Sequence, residues 1–265
     1  MPQQRNSEEA MITPDFIDKP EDMINQIVLG DCLETMRRMP DNFIDLVLTD
    51  PPYGVTANEW DKLVDFMDEA LRVSRGVVLT AMQPYSSELV VKYRKHFKYE
   101  WVWHKAVGSN FANLKYQPMR EHEQILVLGE PKYNPIKQPR NGSGSKRLET
   151  PYFTNSDQGG ENTGIKRNNA GKEYDKNLRY PSSVQFFNNR DKDARGLHPT
   201  QKPLKMFEYL VKTYTDEGDT VYDPFNGSGT TSVASQNLNR NYIGSEISKE
   251  YCDIAEDRLK QETLL

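Results

Sequence analysis

The chain is 265 residues long, 28% of its residues are charged, and its net charge is −5. This length suffices for one large domain or for a domain with an insertion. No stretch approaches the roughly 18 apolar residues of a membrane span, and residues 1–9 lack the apolar core of a signal peptide. The two cysteines, Cys32 and Cys252, have neither zinc-ligand nor disulfide-framework spacing. We therefore expect a reducing, cytoplasmic setting and no metal.

The charge is distributed unevenly along the chain. Residues 1–70 carry a net charge of −11 and residues 203–265 one of −5, whereas residues 71–130 carry +4 and residues 131–202 carry +7. A segment this basic in an acidic protein indicates a surface that faces a polyanion. A solvated polar insertion would have the same charge and is the alternative interpretation.

Seven short apolar runs predict strands, in chain order Ile27–Leu29, Leu46–Leu48, Val77–Leu79, Tyr99–Trp103, Ile125–Leu128, Thr220–Tyr222 and Tyr242–Ile243. Several runs are continuous rather than alternating, as expected for strands that are covered on both faces. Amphipathic helical stripes lie between most of them, such as Leu204, Phe207, Leu210, Val211 and Tyr214. Strands that alternate with helices predict an α/β fold with an open, mostly parallel sheet.

Two segments depart from this pattern. Residues 1–24 are polar and interrupted by prolines, which indicates a tail or a wrapping arm. Residues 131–195 are rich in Asn, Gly, Ser, Lys and Arg and have poor periodicity. A structureless loop of this length is unusual inside a compact domain, so we interpret it as a functional insertion. Disorder without a partner is an alternative for Asn141–Ser145 and Gly159–Gly171.

A glycine loop follows the predicted strand Thr220–Tyr222. Its sequence is Asp223-Pro224-Phe225-Asn226-Gly227-Ser228-Gly229, and a predicted helix begins at Thr230. The two glycines permit a tight turn and a close approach of the backbone to a ligand. The helix N-terminus would offer N–H groups to a carboxylate or phosphate. Taken alone, the loop is explained about as well by a structural turn, since it matches no complete phosphate-binding pattern.

Acidic residues follow three of the predicted strands. Glu246 comes at the end of the strand after the glycine loop, where it could accept hydrogen bonds from both hydroxyls of a ribose. Asp31, after Ile27–Leu29, joins Asp223 and Glu246 as a third carboxylate at a third strand end. This placement fits an adenosine-bearing ligand better than chance does. Without the glycine loop, an exposed carboxylate at a strand end would explain Glu246 equally well.

Asp50-Pro51-Pro52-Tyr53 ends the predicted strand Leu46–Leu48. The prolines fix φ and cannot continue a strand ladder, so Asp50 and the Pro51 carbonyl should project rigidly from the sheet edge. One charged and one neutral acceptor suit a planar –NH2 group, and Tyr53 could stack on the attached ring. A plain strand end would explain the prolines but not the acid and the aromatic ring beside them.

These loops resemble motifs of the amino-group DNA methyltransferases that use S-adenosylmethionine. Asp50-Pro51-Pro52-Tyr53 is similar to their catalytic motif, and Asp223–Gly229 with Thr230-Thr231 is similar to their cofactor loop. Further similar segments are Gly30-Asp31-Cys32, Arg120–Glu123 and His198–Pro203. The catalytic loop precedes the cofactor loop, which is the permuted order of the family's β group.

The resemblance implies a fold as well as a motif order. It implies a Rossmann-like, doubly wound, seven-stranded and mostly parallel sheet of the class I methyltransferases, formed by residues 25–130 and 196–265. Residues 131–195 would be an inserted target-recognition region. The strand that ends at Asp50 would lie beside the strand that ends at Asp223, in the middle of the sheet.

The resemblance also implies roles for individual residues. The catalytic set would be Asp50, Pro51, Pro52 and Tyr53. Asp31 and Cys32 would contact the cofactor adenine and Glu246 its ribose, although Cys32 alone would read as a small buried residue. The rest of the cofactor set would be Lys202, Asp223, Phe225, Asn226, Gly227, Ser228, Gly229, Thr230 and Thr231, with Gly227, Gly229, Thr230, Thr231 and Lys202 around the methionine part. His122 and His198 are expected to be structural or hydrogen-bonding residues rather than catalytic bases.

The implied activity is site-specific methylation of duplex DNA at N6 of a flipped adenine. Aspartate at the head of the catalytic loop favours adenine, whereas N4-cytosine enzymes of the family more often carry serine there, so N4-cytosine is the first alternative. Non-catalytic DNA binding, or methylation of RNA or of protein glutamine, are further alternatives. The partners would be double-stranded DNA and, as for many family members, a second copy of the chain. The setting would be a prokaryotic cell or a phage-infected host.

Overall fold

The computed structural model of the protein describes residues 12–54, 62–140, 177–191 and 201–262. The chain forms two compact units, one of Met1–Asn134 with Ser183–Leu265 and one of Pro135–Ser182. Several residues singled out from the sequence lie outside the described ranges, namely Asn141–Ser145, Gly159–Gly171 and His198. The second unit is narrower than the predicted recognition region 131–195, whose role in recognition stays a prediction.

The secondary structure alternates strands and helices. The strands are β1 (Gln26–Leu29), β2 (Leu46–Thr49), β3 (Gly76–Ala81), β4 (Phe97–Ser109), β5 (Arg120–Gly129), β6 (Gln138–Pro139), β7 (Leu178–Arg179), β8 (Val184–Phe187), β9 (Thr220–Asp223) and β10 (Asn241–Glu246). The α-helices are α1 (Cys32–Arg37), α2 (Met67–Val73), α3 (Tyr85–Lys92), α4 (Leu204–Tyr214), α5 (Thr230–Asn237) and α6 (Lys249–Glu262). Short 3-10 helices lie at Pro14–Phe16, Pro20–Met23 and Phe111–Asn113.

The first unit is built on an eight-stranded sheet with the order β1-β10-β9-β2-β3-β5-β4-β8. The strands from β1 to β3 in this order are parallel, β5 is antiparallel to β3 and β4, and β8 is parallel to β4. Each of the seven predicted apolar runs lies in one of these strands, so the predicted mostly parallel α/β sheet is confirmed. The eighth strand, β8, was not predicted. Its apolar residues Val184 and Phe186 are exposed, whereas its buried residue is Gln185.

Helices cover both faces of the sheet, which explains the continuous apolar runs. Helices α1, α2 and α3 supply buried side chains to one hydrophobic cluster, and α4, α5 and α6 supply them to another. Strand β2 lies between these clusters and is buried along its whole length. Val47 points into the first cluster, whereas Leu46 and Leu48 point into the second. Both sides of the strand therefore need apolar residues, and its sequence does not alternate.

The described part of the N-terminal segment packs on the sheet. Ile12 forms a parallel bridge with Val28 of β1, and Ile17 and Met23 are buried in the first hydrophobic cluster. This stretch therefore has the contacts of an arm laid along the edge of the sheet. Within the described ranges, no helix is both long enough and apolar enough to span a bilayer.

The described residues of the second unit form a short antiparallel ladder. Gln138 of β6 pairs with Arg179 of β7. The backbone N–H of Arg140 donates to the carbonyl of Asn177 at 2.8 Å, and the Arg140 guanidinium donates to the carbonyl of Leu178 at 2.9 Å. The backbone and the side chain of Arg140 thus both bond to the strand segment opposite, at the end of the described part of the unit.

The sheet brings the two predicted loops together. Strands β2 and β9 are parallel neighbours in the middle of the sheet, with Leu46 paired to Val221 and Val47 to Tyr222. The prediction that these strands are adjacent is confirmed, despite their separation in the sequence. Because the carboxyl ends of parallel strands meet at one edge, Asp50 and Asp223 project into the same region.

Candidate active site

The carboxyl ends of β2, β9 and β10 open into a cavity of about 770 Å³. Every residue of the predicted catalytic and cofactor sets except Gly229 lines this cavity. Gly229 is the N-cap residue of α5 and has a left-handed backbone conformation, with φ of +83°. The fold therefore places the predicted site residues around one cavity, although their loops lie far apart in the sequence.

Asp50 is held by three side chains from different parts of the fold. Its Oδ1 accepts hydrogen bonds from the hydroxyls of Tyr53, at 2.5 Å, and Thr80. Its Oδ2 accepts one from Nζ of Lys202 at 2.7 Å. Thr80 lies on β3, the neighbour of β2, so the sheet itself orients the carboxylate. Within the described residues Oδ2 accepts only the hydrogen bond from Lys202, and a carboxylate oxygen can accept two.

Tyr53 lines the cavity beside this carboxylate. Its ring centroid is 6.0 Å from that of Tyr85, and Nζ of Lys202 lies 5.8 Å from the ring. Burial, reinforced by the negative charges of Asp50 and Glu123, raises the pKa of the Tyr53 hydroxyl well above its ordinary value. The hydroxyl therefore keeps its proton and acts as a donor to Asp50.

A chain of buried charges continues from Asp50, and it was not predicted from the sequence. Lys202 Nζ lies 3.5 Å from Glu123 Oε2, and Glu123 Oε1 accepts a hydrogen bond from Lys105. The side chains of Lys105 and Glu123 are each 7% exposed. Burial alone would lower the pKa of Lys202, but the charges of Asp50 and Glu123 outweigh it and the pKa is raised. Lys202 therefore lies as a cation between two carboxylates. It also lines the cavity, and its contact with the methionine part of the cofactor stays a prediction.

Asp223 anchors the glycine loop to the sheet. Its Oδ1 accepts hydrogen bonds from the Thr49 hydroxyl at 2.6 Å and from the Phe225 N–H at 3.0 Å, and its Oδ2 accepts one from the Thr231 hydroxyl. Asp223 is 4% exposed. Burial raises its pKa to about 6, although the hydrogen bonds from Thr231, Thr49 and Phe225 act in the opposite direction. The carboxylate therefore connects β2, the glycine loop and α5.

The raised pKa of Asp223 predicts a pH dependence of stability. The folded protein binds this proton at about pH 6, whereas the ordinary value of the carboxyl is 3.8. Protonation of Asp223 therefore stabilises the folded protein fully below pH 3.8, and this stabilisation is lost as the pH rises through about 6. The loss should approach about 3 kcal/mol. Urea unfolding between these pH values checks it, with Asp223→Asn as the reference that lacks the titrating group. Equal pH slopes for both proteins would contradict the prediction.

Glu246 and Asp31 use their carboxylates to shape the backbone at two other strand ends. Glu246 accepts hydrogen bonds from the N–H groups of Gly227 and Ser248, both at 2.9 Å, and burial raises its pKa. Asp31 caps α1 by accepting hydrogen bonds from the N–H groups of Leu33, at 2.8 Å, and Glu34, at 3.2 Å. Both carboxylates also line the cavity, so each has a structural role in addition to its predicted contact with a ligand.

Cys32 and His122 have simpler environments. Cys32 is buried beside Asp31, and burial raises the pKa of its thiol to about 12, so the thiol stays protonated. The thiol is thus small, neutral and at the cavity wall. His122 is exposed on β5, opposite His104 of β4, and does not line the cavity.

The hydrogen-bonding groups and apolar residues of the cavity fit S-adenosylmethionine. Asp31 and Glu246 offer acceptors for the amine and hydroxyl groups of an adenosine. The N-terminus of α5, after Gly229, offers N–H groups and a partial positive charge that suit a carboxylate. Phe225 and Ile247 add apolar surface to the cavity. Acceptors and an anion site within one cavity match a nucleoside that carries an amino-acid tail.

Comparisons with known proteins agree with this geometry. A family model named for N6 and N4 methyltransferases, and described as DNA methylase, matches residues 44–257. The type II methyltransferase M.BglII of Bacillus subtilis is 30% identical, over 89% of this chain and 69% of its own length. The orphan methyltransferase M.BamHII of Bacillus amyloliquefaciens is 31% identical, over 89% of this chain and 92% of its own length.

Solved structures show the same fold. The complex of M1.HpyAVI with SAM has a TM-score of 0.56 at 23% identity and covers 88% of this chain and 98% of that one. The PvuII DNA methyltransferase, described as cytosine-N4-specific, has a TM-score of 0.59 at 18% identity and covers 88% of this chain and 85% of that one. The paired loops, the permuted strand order and the family match lead to one conclusion: the chain belongs to the S-adenosylmethionine-dependent N6/N4 amino-group DNA methyltransferases.

Proposed function

We propose that the protein methylates the N6 amine of adenine in double-stranded DNA at a specific sequence. The observation that carries the proposal is Asp50, which lines the cavity and whose Oδ2 accepts one hydrogen bond, from Lys202, within the described residues. Within the family, aspartate at this position favours adenine, whereas N4-cytosine enzymes more often carry serine. The fold does not discriminate between the two bases, because a cytosine-N4-specific enzyme has the same architecture.

The chemistry requires positioning rather than a covalent intermediate. An exocyclic amine is a poor nucleophile, because its lone pair is delocalised into the ring. Asp50 and the Pro51 carbonyl would accept the two amine hydrogens and favour a pyramidal nitrogen with an exposed lone pair. The bound cofactor supplies a methyl group on a sulfonium sulfur. The amine nitrogen would take this methyl group, and Asp50, which holds one amine hydrogen, would accept the proton that the methylated nitrogen must lose.

The surrounding residues would hold this acceptor in place. Tyr53 and Thr80 occupy Oδ1, so the amine is directed to Oδ2. Lys202 and Glu123 place alternating charges next to Asp50, so the carboxylate is not buried beside an unbalanced cation. The adenine must leave the duplex to reach the cavity, at a cost of a few kcal/mol that contacts in the cavity offset.

We assign sequence recognition to the basic region 131–195. Its lysines and arginines would contact phosphates, while Asn, Gln and Arg side chains would read base edges. Homodimerisation, which is frequent in the family, stays a prediction. The setting that we propose is the cytoplasm of a prokaryotic cell or of a phage-infected host.

Labelled cofactor and methylation-free DNA test the proposal directly. After incubation, the DNA is digested and its nucleosides are analysed by mass spectrometry, where we expect labelled N6-methyladenine. Labelled N4-methylcytosine would replace the adenine assignment by the first alternative. DNA binding without label would indicate a non-catalytic protein, and label in parallel RNA or protein samples instead of DNA would refute the proposal. Sequencing of methylated DNA from expressing cells gives the target sequence.

A further inference from the structure

The N-terminal arm, residues 12–24, pairs with the edge of the sheet beside the cavity. Strand β1 ends the strand order of the eight-stranded sheet, and such an edge strand leaves backbone groups open to a further pairing. Ile12 forms a parallel bridge with Val28, and its carbonyl accepts a hydrogen bond from the Leu29 N–H at 2.8 Å. The arm therefore extends the sheet at the carboxyl end of β1, shortly before Asp31.

Pro14 of the arm packs against the turn that leads to Asp31. An added Cβ on Gly30 would lie 2.7 Å from Cδ of Pro14 and 2.8 Å from its Cγ, and Pro14 is buried. Gly30 does not have a positive φ, so its backbone conformation is open to other residues. The Pro14 ring is therefore what leaves no room for a side chain at position 30.

Buried side chains anchor the arm to the core. Ile17 and Met23 lie in the same hydrophobic cluster as Cys32, the residue after Asp31. The Ile17 N–H also donates to the Pro14 carbonyl at 3.3 Å. Because the interior is close-packed, these contacts fix the position of Pro14 relative to the turn.

The turn at Gly30 connects the two carboxylates that we assign to the adenosine of the cofactor. The Gly30 N–H donates to the Glu246 carbonyl at 2.9 Å, and Leu29 pairs with Glu246 across the two strands. Asp31 and Glu246 both line the cavity, whereas Pro14 does not. A displacement of Pro14 would therefore reach the cofactor through the turn and these two side chains.

We propose that Pro14 is a positioning residue for S-adenosylmethionine. Its ring holds the Gly30 turn against β10, and this contact sets the separation of the Asp31 and Glu246 carboxylates around the adenosine. The inference rests on the proposed contacts of these two carboxylates with the cofactor. It gives the N-terminal arm a role in cofactor affinity rather than in methyl transfer at Asp50.

A double-mutant cycle of Gly30→Ala and Pro14→Ala tests this role by calorimetry with S-adenosylmethionine. Gly30→Ala adds a methyl group where the Pro14 ring lies and should weaken cofactor binding at least about tenfold. Pro14→Ala removes Cγ and Cδ, the atoms nearest to that methyl group, and should alone weaken binding about threefold. The double variant has room for the methyl group and should bind the cofactor as tightly as Pro14→Ala.

The loss should be specific to the adenosine part of the cofactor. S-Adenosylhomocysteine, which has the same adenosine, should lose the same factor in affinity. The KM for the cofactor should rise, while the single-turnover rate at saturating cofactor stays near that of the unmodified protein. Gly76→Ala is the matched control, because its added Cβ would lie 2.5 Å from Cδ of Pro131 and neither residue lines the cavity. It should be less stable in urea and bind the cofactor with unchanged affinity.

The outcomes separate the role of Pro14 from the assignment of the cofactor site. Unchanged cofactor affinity in Pro14→Ala, or losses that multiply in the double variant, would overturn the role of Pro14. Pro14→Ala adds no atoms, so it decides the question even if Gly30→Ala does not fold. Asp31→Asn and Glu246→Gln monitor the assignment. If both bind the cofactor normally, the assigned adenosine site is wrong and the inference fails with it. If both lose affinity and Pro14→Ala does not, only the inference fails.

Discussion

Asp50→Asn should reduce single-turnover methyl transfer by at least about 100-fold, with little change in affinity for S-adenosylmethionine. The amide has nearly the shape of the carboxylate, but it is neutral and has one acceptor atom instead of two. Lys202, which donates to Oδ2 at 2.7 Å, would lose its nearest negative charge. The target amine would then meet a weaker acceptor beside an unbalanced cation. Asp50→Ala should have at least the same effect.

The control for this variant is Asp68→Asn. Asp68 is exposed on α2 and does not line the cavity, so the same chemical change there should leave transfer unaltered. Transfer is measured in a single turnover because product release can limit the steady-state rate. Calorimetry with S-adenosylmethionine monitors cofactor binding separately. Retained activity in Asp50→Asn would refute the assigned role, and loss of cofactor affinity in parallel would place Asp50 in the cofactor site.

Gly229→Ala should destabilise the protein by about 2–5 kcal/mol, the largest effect we expect on folding. Gly229 has a φ of +83°, which is unfavourable for a residue with a Cβ. An added Cβ would also lie 2.8 Å from Cβ of Ala255 and 3.1 Å from its Cα, on helix α6. The loop must shift to relieve this contact. Because the loop lines the cavity, affinity for S-adenosylmethionine should fall as well.

Gly218→Ala separates the two causes. Gly218 has a nearly identical φ of +85°, but an added Cβ there would meet no atom within 4 Å. This variant should lose only about 1–2 kcal/mol, the cost of the backbone conformation, and should bind the cofactor normally. Urea unfolding compares the two variants under the same conditions. Equal losses of unfolding free energy, with unchanged cofactor affinity in both, would show that the contact with Ala255 is not what restricts position 229.

The sequence determined the local features of the fold that depend on neighbouring residues. The apolar run Leu46–Leu48 predicted a buried strand, and the prolines after Asp50 correctly predicted where it ends. The predicted apolar stripe of α4 is buried in one cluster. These predictions succeeded because periodicity, proline geometry and helix amphipathicity act within a few residues. The adjacency of β2 and β9 also followed from the sequence, but through the order of two recognisable motifs rather than through local physics.

The tertiary structure alone decided what surrounds Asp50. Thr80, Glu123 and Lys105 lie on neighbouring strands, and nothing near them in the sequence marks them as partners of a carboxylate. Lys202 is predicted to contact the cofactor, and its sequence neighbours do not reveal that its Nζ also reaches Asp50. Hydrogen bonds and ion pairs between distant segments depend on distances of a few ångströms that the pairing of strands sets. The sequence therefore identified the carboxylate and its loop, whereas the packing of the sheet determined which side chains bond to each of its oxygens.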